Sequence, residues 1–186
     1  MMKVREAEIK KALTNRIMAQ RNGSPNYFLE ELRINGGEIR ADLVDASEMH
    51  CYEIKSDGDT LIRLIRQGAQ YSKIFDKVTI VTADCHLEKV IETVPSWWGI
   101  LLVKKNRDDL LKQIRVAKSN KRNLSAEDLA TLFNKDEALD LLDKISTSKG
   151  WKSKSLYKIQ EHIAKTLPLE DLKTYAKDNL IKRVHL

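Results

Sequence analysis

Two short β-like runs, Ile39 to Ala46 and Met49 to Ser56, are separated only by the tight turn Ser47-Glu48. Runs joined this closely pair as an antiparallel hairpin, and that hairpin limits the folds open to the rest of the chain. The first run carries Asp42, and the second carries Glu53 and Lys55 within Cys51-Tyr52-Glu53-Ile54-Lys55-Ser56. Side chains alternate along a strand, so Glu53 and Lys55 emerge on one face and Ile54 on the other. Charges set beside a core are costly unless they are partnered, which gives the pair a functional reading: a divalent metal with an ammonium that positions a water.

The segments around the hairpin extend it into a sheet. Residues 2–20 read as a helix, with Ile9, Leu13 and Ile17 recurring every four residues. Asn22-Gly23-Ser24-Pro25-Asn26 ends it, and Tyr27 to Ile34 is a strand leading through Asn35-Gly36-Gly37 into the hairpin. After Asp57-Gly58-Asp59-Thr60, read as a turn that also caps, a helix from Leu61 to about Phe75 is expected to turn Leu61, Leu64, Ile65 and Ala69 inward. Lys77 to Ala83 is a β-branched buried strand, Asp84 to Val94 a helix, and Gly99 to Val103 a further strand.

Beyond Lys105 the expected elements are helical. They are a segment from Asp108 to Lys118, a start capped by Ser125, helices to about Lys144 and from Ser155 to Lys165, and a last helix from Pro168. The fold class is thus α/β (α+β), a mixed-sheet core of order α-β-β-β-α-β over residues 1–105. A basic helical C-terminal region covers residues 106–186.

Charge divides along the same line. Residues 1–95 hold 14 Lys+Arg against 15 Asp+Glu, while residues 96–186 hold 19 against 12. A near-neutral half with clustered acids joined to a basic half suits an acidic site with a nucleic-acid-holding extension. Trp151 among Lys149, Lys152 and Lys154 combines stacking with phosphate neutralisation, and Arg115 and Lys118 stand where they can track a backbone. Trp97-Trp98 reads as core. Cys51 and Cys85 read as small buried hydrophobes, neither zinc ligands nor a disulfide. No apolar run reaches bilayer length, so a cytoplasmic protein is expected.

Asp-x10-Glu-x-Lys on adjacent strands resembles the metal-site arrangement of the PD-(D/E)XK nuclease superfamily, with Ala41 where the family label has Pro. Gln67-Gly68-Ala69-Gln70-Tyr71 on the following helix is similar to the Gln-xxx-Tyr signature of the RecB-like branch, and Arg63 stands one turn earlier on that face. The resemblance covers roughly residues 3–103. The whole chain, including Leu132 to Ala138 and Leu167 to Leu172, resembles small bacterial and phage nuclease-like proteins.

The resemblance implies a restriction-endonuclease-like core and a magnesium-dependent endonuclease acting on DNA, with manganese as a substitute ion. It implies that Asp42, Glu53 and the Ile54 carbonyl bind the metal with Glu6 (or Glu8), that Lys55 orients the water, and that Gln67 and Tyr71 support the site. Arg63, Arg115, Lys118, Lys149, Trp151 and Lys152 are then the nucleic-acid contacts, and a homodimer or a partner protein is allowed for. The competing reading is a catalytically inert nucleic-acid-binding or protein-interaction module on the same fold.

Overall fold

Helix α1, Glu6–Gln20, forms where the four-residue apolar spacing places it: Ile9, Leu13 and Ile17 are all buried. The computed structural model describes residues 4–21, 25–104, 110–120, 122–146 and 148–185. The breakers Asn22-Gly23-Ser24 and the expected division after residue 105 lie outside the described residues.

Strands β1 (Phe28–Ile34), β2 (Ile39–Asp45) and β3 (His50–Lys55) form the expected antiparallel meander. The β1–β2 turn needs left-handed backbone, which Gly36 (φ 65) and Gly37 (φ 92) supply. Helix α2 (Leu64–Ile74) then crosses to β4 (Lys77–Ala83), and α3 (Leu87–Thr93) crosses to β5 (Gly99–Val103); both new strands run parallel to β3. A sixth strand, β6 (Leu111–Arg115), returns antiparallel to β5, so the sheet order is β1-β2-β3-β4-β5-β6. Helices α4 (Ala126–Ala130), α5 (Lys135–Ile145), α6 (Leu156–Thr166) and α7 (Leu169–Arg183) follow. The class is the expected one, a mixed sheet with C-terminal helices.

Alternation assigns the two faces. Tyr52 and Ile54 of β3 pack with Leu43, Val81, Leu101 and the stripe of α1. Cys51 of the same strand faces the other way, into a larger core with Val78, Ile80 and Ile100 of the sheet, Leu64, Tyr71 and Ile74 of α2, and the apolar faces of α4 to α7. Sheet and C-terminal helices therefore share one core.

Four expectations are corrected here. The segment expected as a helix from Asp108 to Lys118 is strand β6 where it is described: its backbone completes the free edge of β5, and Leu111 is buried while Ile114 is 38% exposed. Helix α2 begins at Leu64 rather than Leu61, and its buried stripe is Leu64, Gly68, Tyr71 and Ile74, leaving Ile65 72% exposed and Ala69 on the surface. Asp59 accepts from the Ser56 amide and hydroxyl as a turn residue and does not cap the helix. Cys85 is exposed, while Cys51 is buried.

Gly68 is where α2 meets the sheet layer most closely. A Cβ there would lie 2.9 Å from Cη2 of Trp98, a side chain that is itself 1% exposed. Alanine is the better helix former by about 1 kcal/mol, but overpacking against a rigid ring costs about 1–3 kcal/mol. Gly68→Ala is therefore expected to lower the urea midpoint; a raised midpoint would show that Trp98 can move aside.

Candidate functional site

The alternation of side chains along β3 delivers Glu53 and Lys55 to the face covered by α2, and the four-residue spacing on α2 delivers Gln67 and Tyr71 to the same place. Lys55 Nζ donates to Glu53 Oε1 at 2.6 Å and to Gln67 Oε1 at 3.3 Å. The Tyr71 hydroxyl donates to Glu53 Oε2 at 2.7 Å and lies 3.1 Å from the Arg40 carbonyl, while Gln67 Nε2 lies 3.5 Å from the Tyr71 oxygen. Glu53 is 1% exposed and Lys55 6%. Both carboxylate oxygens of Glu53 are thus held from within the protein, one by a cation and one by a phenol. Burial keeps the Tyr71 hydroxyl protonated far above its ordinary range, which suits a permanent donor.

Asp42 sits beside this ring, where β2 and β3 part. The last paired residues are Leu43 and Tyr52, and beyond them Asp42 Oδ2 takes the Ile54 amide at 2.6 Å in place of a ladder bond. Burial first, then repulsion from Glu53, pushes the Asp42 carboxyl up to about 7, against the pull of the Ile54 amide.

The carboxylates that come close enough to share one ion are Glu6, Glu31 and Asp42, with ligand atoms within 4.8 Å of one another among the described residues. Glu53 is not in that group, because its oxygens face Lys55 and Tyr71. Glu31 was not foreseen: it enters through a left-handed backbone at φ 55 on β1, which nothing in its local sequence announces. The same group already holds cations. Lys10 Nζ lies 3.0 Å from Glu6 Oε1 and 2.5 Å from Glu31 Oε1, and Arg40 Nε lies 2.5 Å from Glu31 Oε2. Although burial opposes its charge, Lys10 is held above its ordinary pKa by Glu31 and Glu6. Of the expected magnesium ligands, Glu6 and Asp42 are thus brought together with Glu31, while Glu53 is turned to Lys55 and Tyr71.

The residues expected to touch nucleic acid separate into two kinds. Arg115 is engaged by the fold: its Nε donates to the Trp98 carbonyl at 2.6 Å and its Nη2 to the Pro95 carbonyl at 3.0 Å. Trp151 is half-buried and stacked on His162, with ring centroids 4.2 Å apart, so it anchors its turn to α6. Arg63, Lys118, Lys149 and Lys152 are exposed, Arg63 just ahead of α2 and the last two on the turn before α6. Tyr157, which no sequence motif singles out, is 73% exposed on the first turn of α6.

A family profile described as "Bacteriophage P4 protein cII" matches residues 1–185. Protein cII of Enterobacteria phage P4 is 32% identical over 108 residues, which is 58% of this chain and 41% of that protein, so the chain spans less than half the length of the curated relative it matches. No solved structure matches the chain. These matches overturn the assignment to the PD-(D/E)XK nuclease superfamily, and with it the reading as a magnesium-dependent endonuclease and phosphodiester hydrolase. Neither match names a nuclease, and the profile runs on through the C-terminal helices, well beyond the roughly 100 residues that carry the Asp-x10-Glu-x-Lys and Gln-xxx-Tyr patterns. With all but the last residue inside one profile, the chain belongs to the bacteriophage P4 protein cII family.

Proposed function

We propose that the chain is a non-catalytic nucleic-acid-binding module that holds the phosphate backbone on the turn before α6 and on the first turn of that helix. The observation that carries this reading is Tyr157, 73% exposed, with Lys152, Lys154 and Lys158 exposed within about five residues of it along the chain and Lys149 on the turn before α6. An aromatic face for a base surrounded by ammonium groups for phosphates is how a strand is held without reading its sequence. Trp151 contributes by fixing the turn through its stack on His162. The excess of 19 basic over 12 acidic residues in 96–186 gives the surrounding field the right sign.

The closed ring at Glu53 supports the non-catalytic half of the reading. Lys55 is paired and buried, so a phosphodiester could reach it only by opening the contact between β3 and α2. The ring acts instead as a clamp between sheet and helix. A cytoplasmic location suits such a module, and no described helix is long and apolar enough to cross a membrane.

A labelled short duplex and its single strand, titrated with protein and followed by fluorescence anisotropy over a range of salt, test the surface. Replacing Lys152, Lys154 and Tyr157 together by Ala is expected to weaken binding at least about tenfold and to lower the salt slope by roughly 2, one per lost phosphate contact. Unchanged affinity and slope in the triple variant would remove this surface from consideration.

A further inference from the structure

Between α1 and the sheet, at the end of β3 away from Lys55, lies a cavity of about 320 Å³, within the size range of small-ligand sites. Its apolar wall is Leu13, Ile17 and Leu101. Its polar wall is a relay of three side chains: the Tyr52 hydroxyl is 3.0 Å from His50 Nδ1, and His50 Nε2 is 2.8 Å from Thr79 Oγ1. Burial, with the Lys77 and Arg21 cations nearby, holds His50 neutral by bringing its pKa down to about 3.

A neutral imidazole has one N–H and one acceptor nitrogen. If Tyr52 donates to Nδ1, then Nε2 donates to Thr79 and the Thr79 hydrogen is left over. In the opposite tautomer, the Tyr52 hydrogen is left over. Neither hydroxyl has another hydrogen-bond partner among the described residues. Either way, one buried O–H points for an acceptor that the protein does not provide, and an unmet buried donor is costly.

The charged lining is unbalanced in the same sense. Arg21 is paired with Asp45, and Lys77 with Glu48 at 3.1 Å. Arg16 donates only to the Leu111 carbonyl and Gln113 Oε1, with no carboxylate partner among the described residues. We propose that this cavity is a binding site for a small oxyanion-bearing molecule, a carboxylate or a phosphate. Its oxygens meet Arg16 and the free hydroxyl of the Tyr52–His50–Thr79 relay, and its apolar part lies against Leu13, Ile17 and Leu101. The site shares no side chain with the nucleic-acid surface and stands or falls separately from it.

Isothermal titration calorimetry of the full chain with inorganic phosphate and with acetate, at ionic strength balanced by potassium chloride, tests it. One saturable site is expected for at least one of the two anions, and which one responds tells phosphate esters from carboxylates. Arg16→Gln is expected to weaken that binding at least about tenfold, as is whichever of Tyr52→Phe and Thr79→Val removes the free hydrogen, with the fold checked by circular dichroism. Lys135→Gln, on α5, is expected to leave it unchanged. Absence of saturable binding by both anions, or binding that survives Arg16→Gln and both hydroxyl variants, would overturn the proposal.

Discussion

Lys55→Met is expected to lower the free energy of unfolding by about 3–5 kcal/mol, the range found when one partner of a buried ion pair is removed. Glu53 is 1% exposed, and Lys55 is the cation at 2.6 Å from its Oε1, so the variant leaves a carboxylate in the core with only the Tyr71 hydroxyl to hold it. Asp42 adds to the strain, because it repels Glu53 and is already crowded by it. Glu53→Gln combined with Lys55→Met removes both charges, keeps an acceptor for Tyr71 and is expected to recover most of the loss. Urea unfolding of the wild type, the single variant and the double variant decides. A loss below about 1 kcal/mol in the single variant would describe an exposed pair and not a clamp.

Asp42→Asn is expected to make the protein more stable at pH 8, by an amount on the order of 4 kcal/mol, the free energy that separates an ordinary carboxyl near 3.8 from one held at about 7. Unfolded, Asp42 gives up its proton near the ordinary 3.8; folded, it does so only at about 7. Between those values the folded state holds the extra proton, so stability falls as pH rises through this window. Above about 7 the whole penalty is present. Asn carries no charge and still offers an oxygen to the Ile54 amide, so the gain over wild type should grow from pH 4 to pH 8. A gain independent of pH, or a loss at pH 8, would show that Asp42 is ionised at no such penalty.

The parts of the fold that could be read ahead are those fixed by period and by tight turns. The meander, the parallel strands β4 and β5, the stripe of α1 and the Ser125 cap all stand where their residues put them. The meeting of Glu53, Lys55, Gln67 and Tyr71 was legible for the same reason, since alternation and the helical turn each place two of them on one face. Strand β6 was not legible: Leu110, Leu111 and Ile114 satisfy a helical spacing, and only the open edge of β5 selects the strand. Ile65 was expected inward, but the buried stripe of Leu64, Gly68, Tyr71 and Ile74 lies roughly a quarter turn round the helix from the expected Leu61, Leu64, Ile65 and Ala69. Glu31 needed a positive φ to reach Glu6 and Asp42, a backbone choice made by the sheet rather than by its neighbours in sequence. The largest correction is of another kind. The nuclease reading is overturned by the family match over residues 1–185, which the residue types at Asp42, Glu53, Lys55, Gln67 and Tyr71 do not announce.

The central claim, binding of nucleic acid without cleavage, is tested most directly by one measurement. Labelled DNA is titrated with the wild-type chain in magnesium, binding is followed by anisotropy, and the DNA is then recovered and sized on a denaturing gel. Saturable, salt-sensitive binding with DNA recovered at full length is expected. Failure to bind at low salt, or DNA shortened by the wild type and left intact by Lys55→Met, would contradict it.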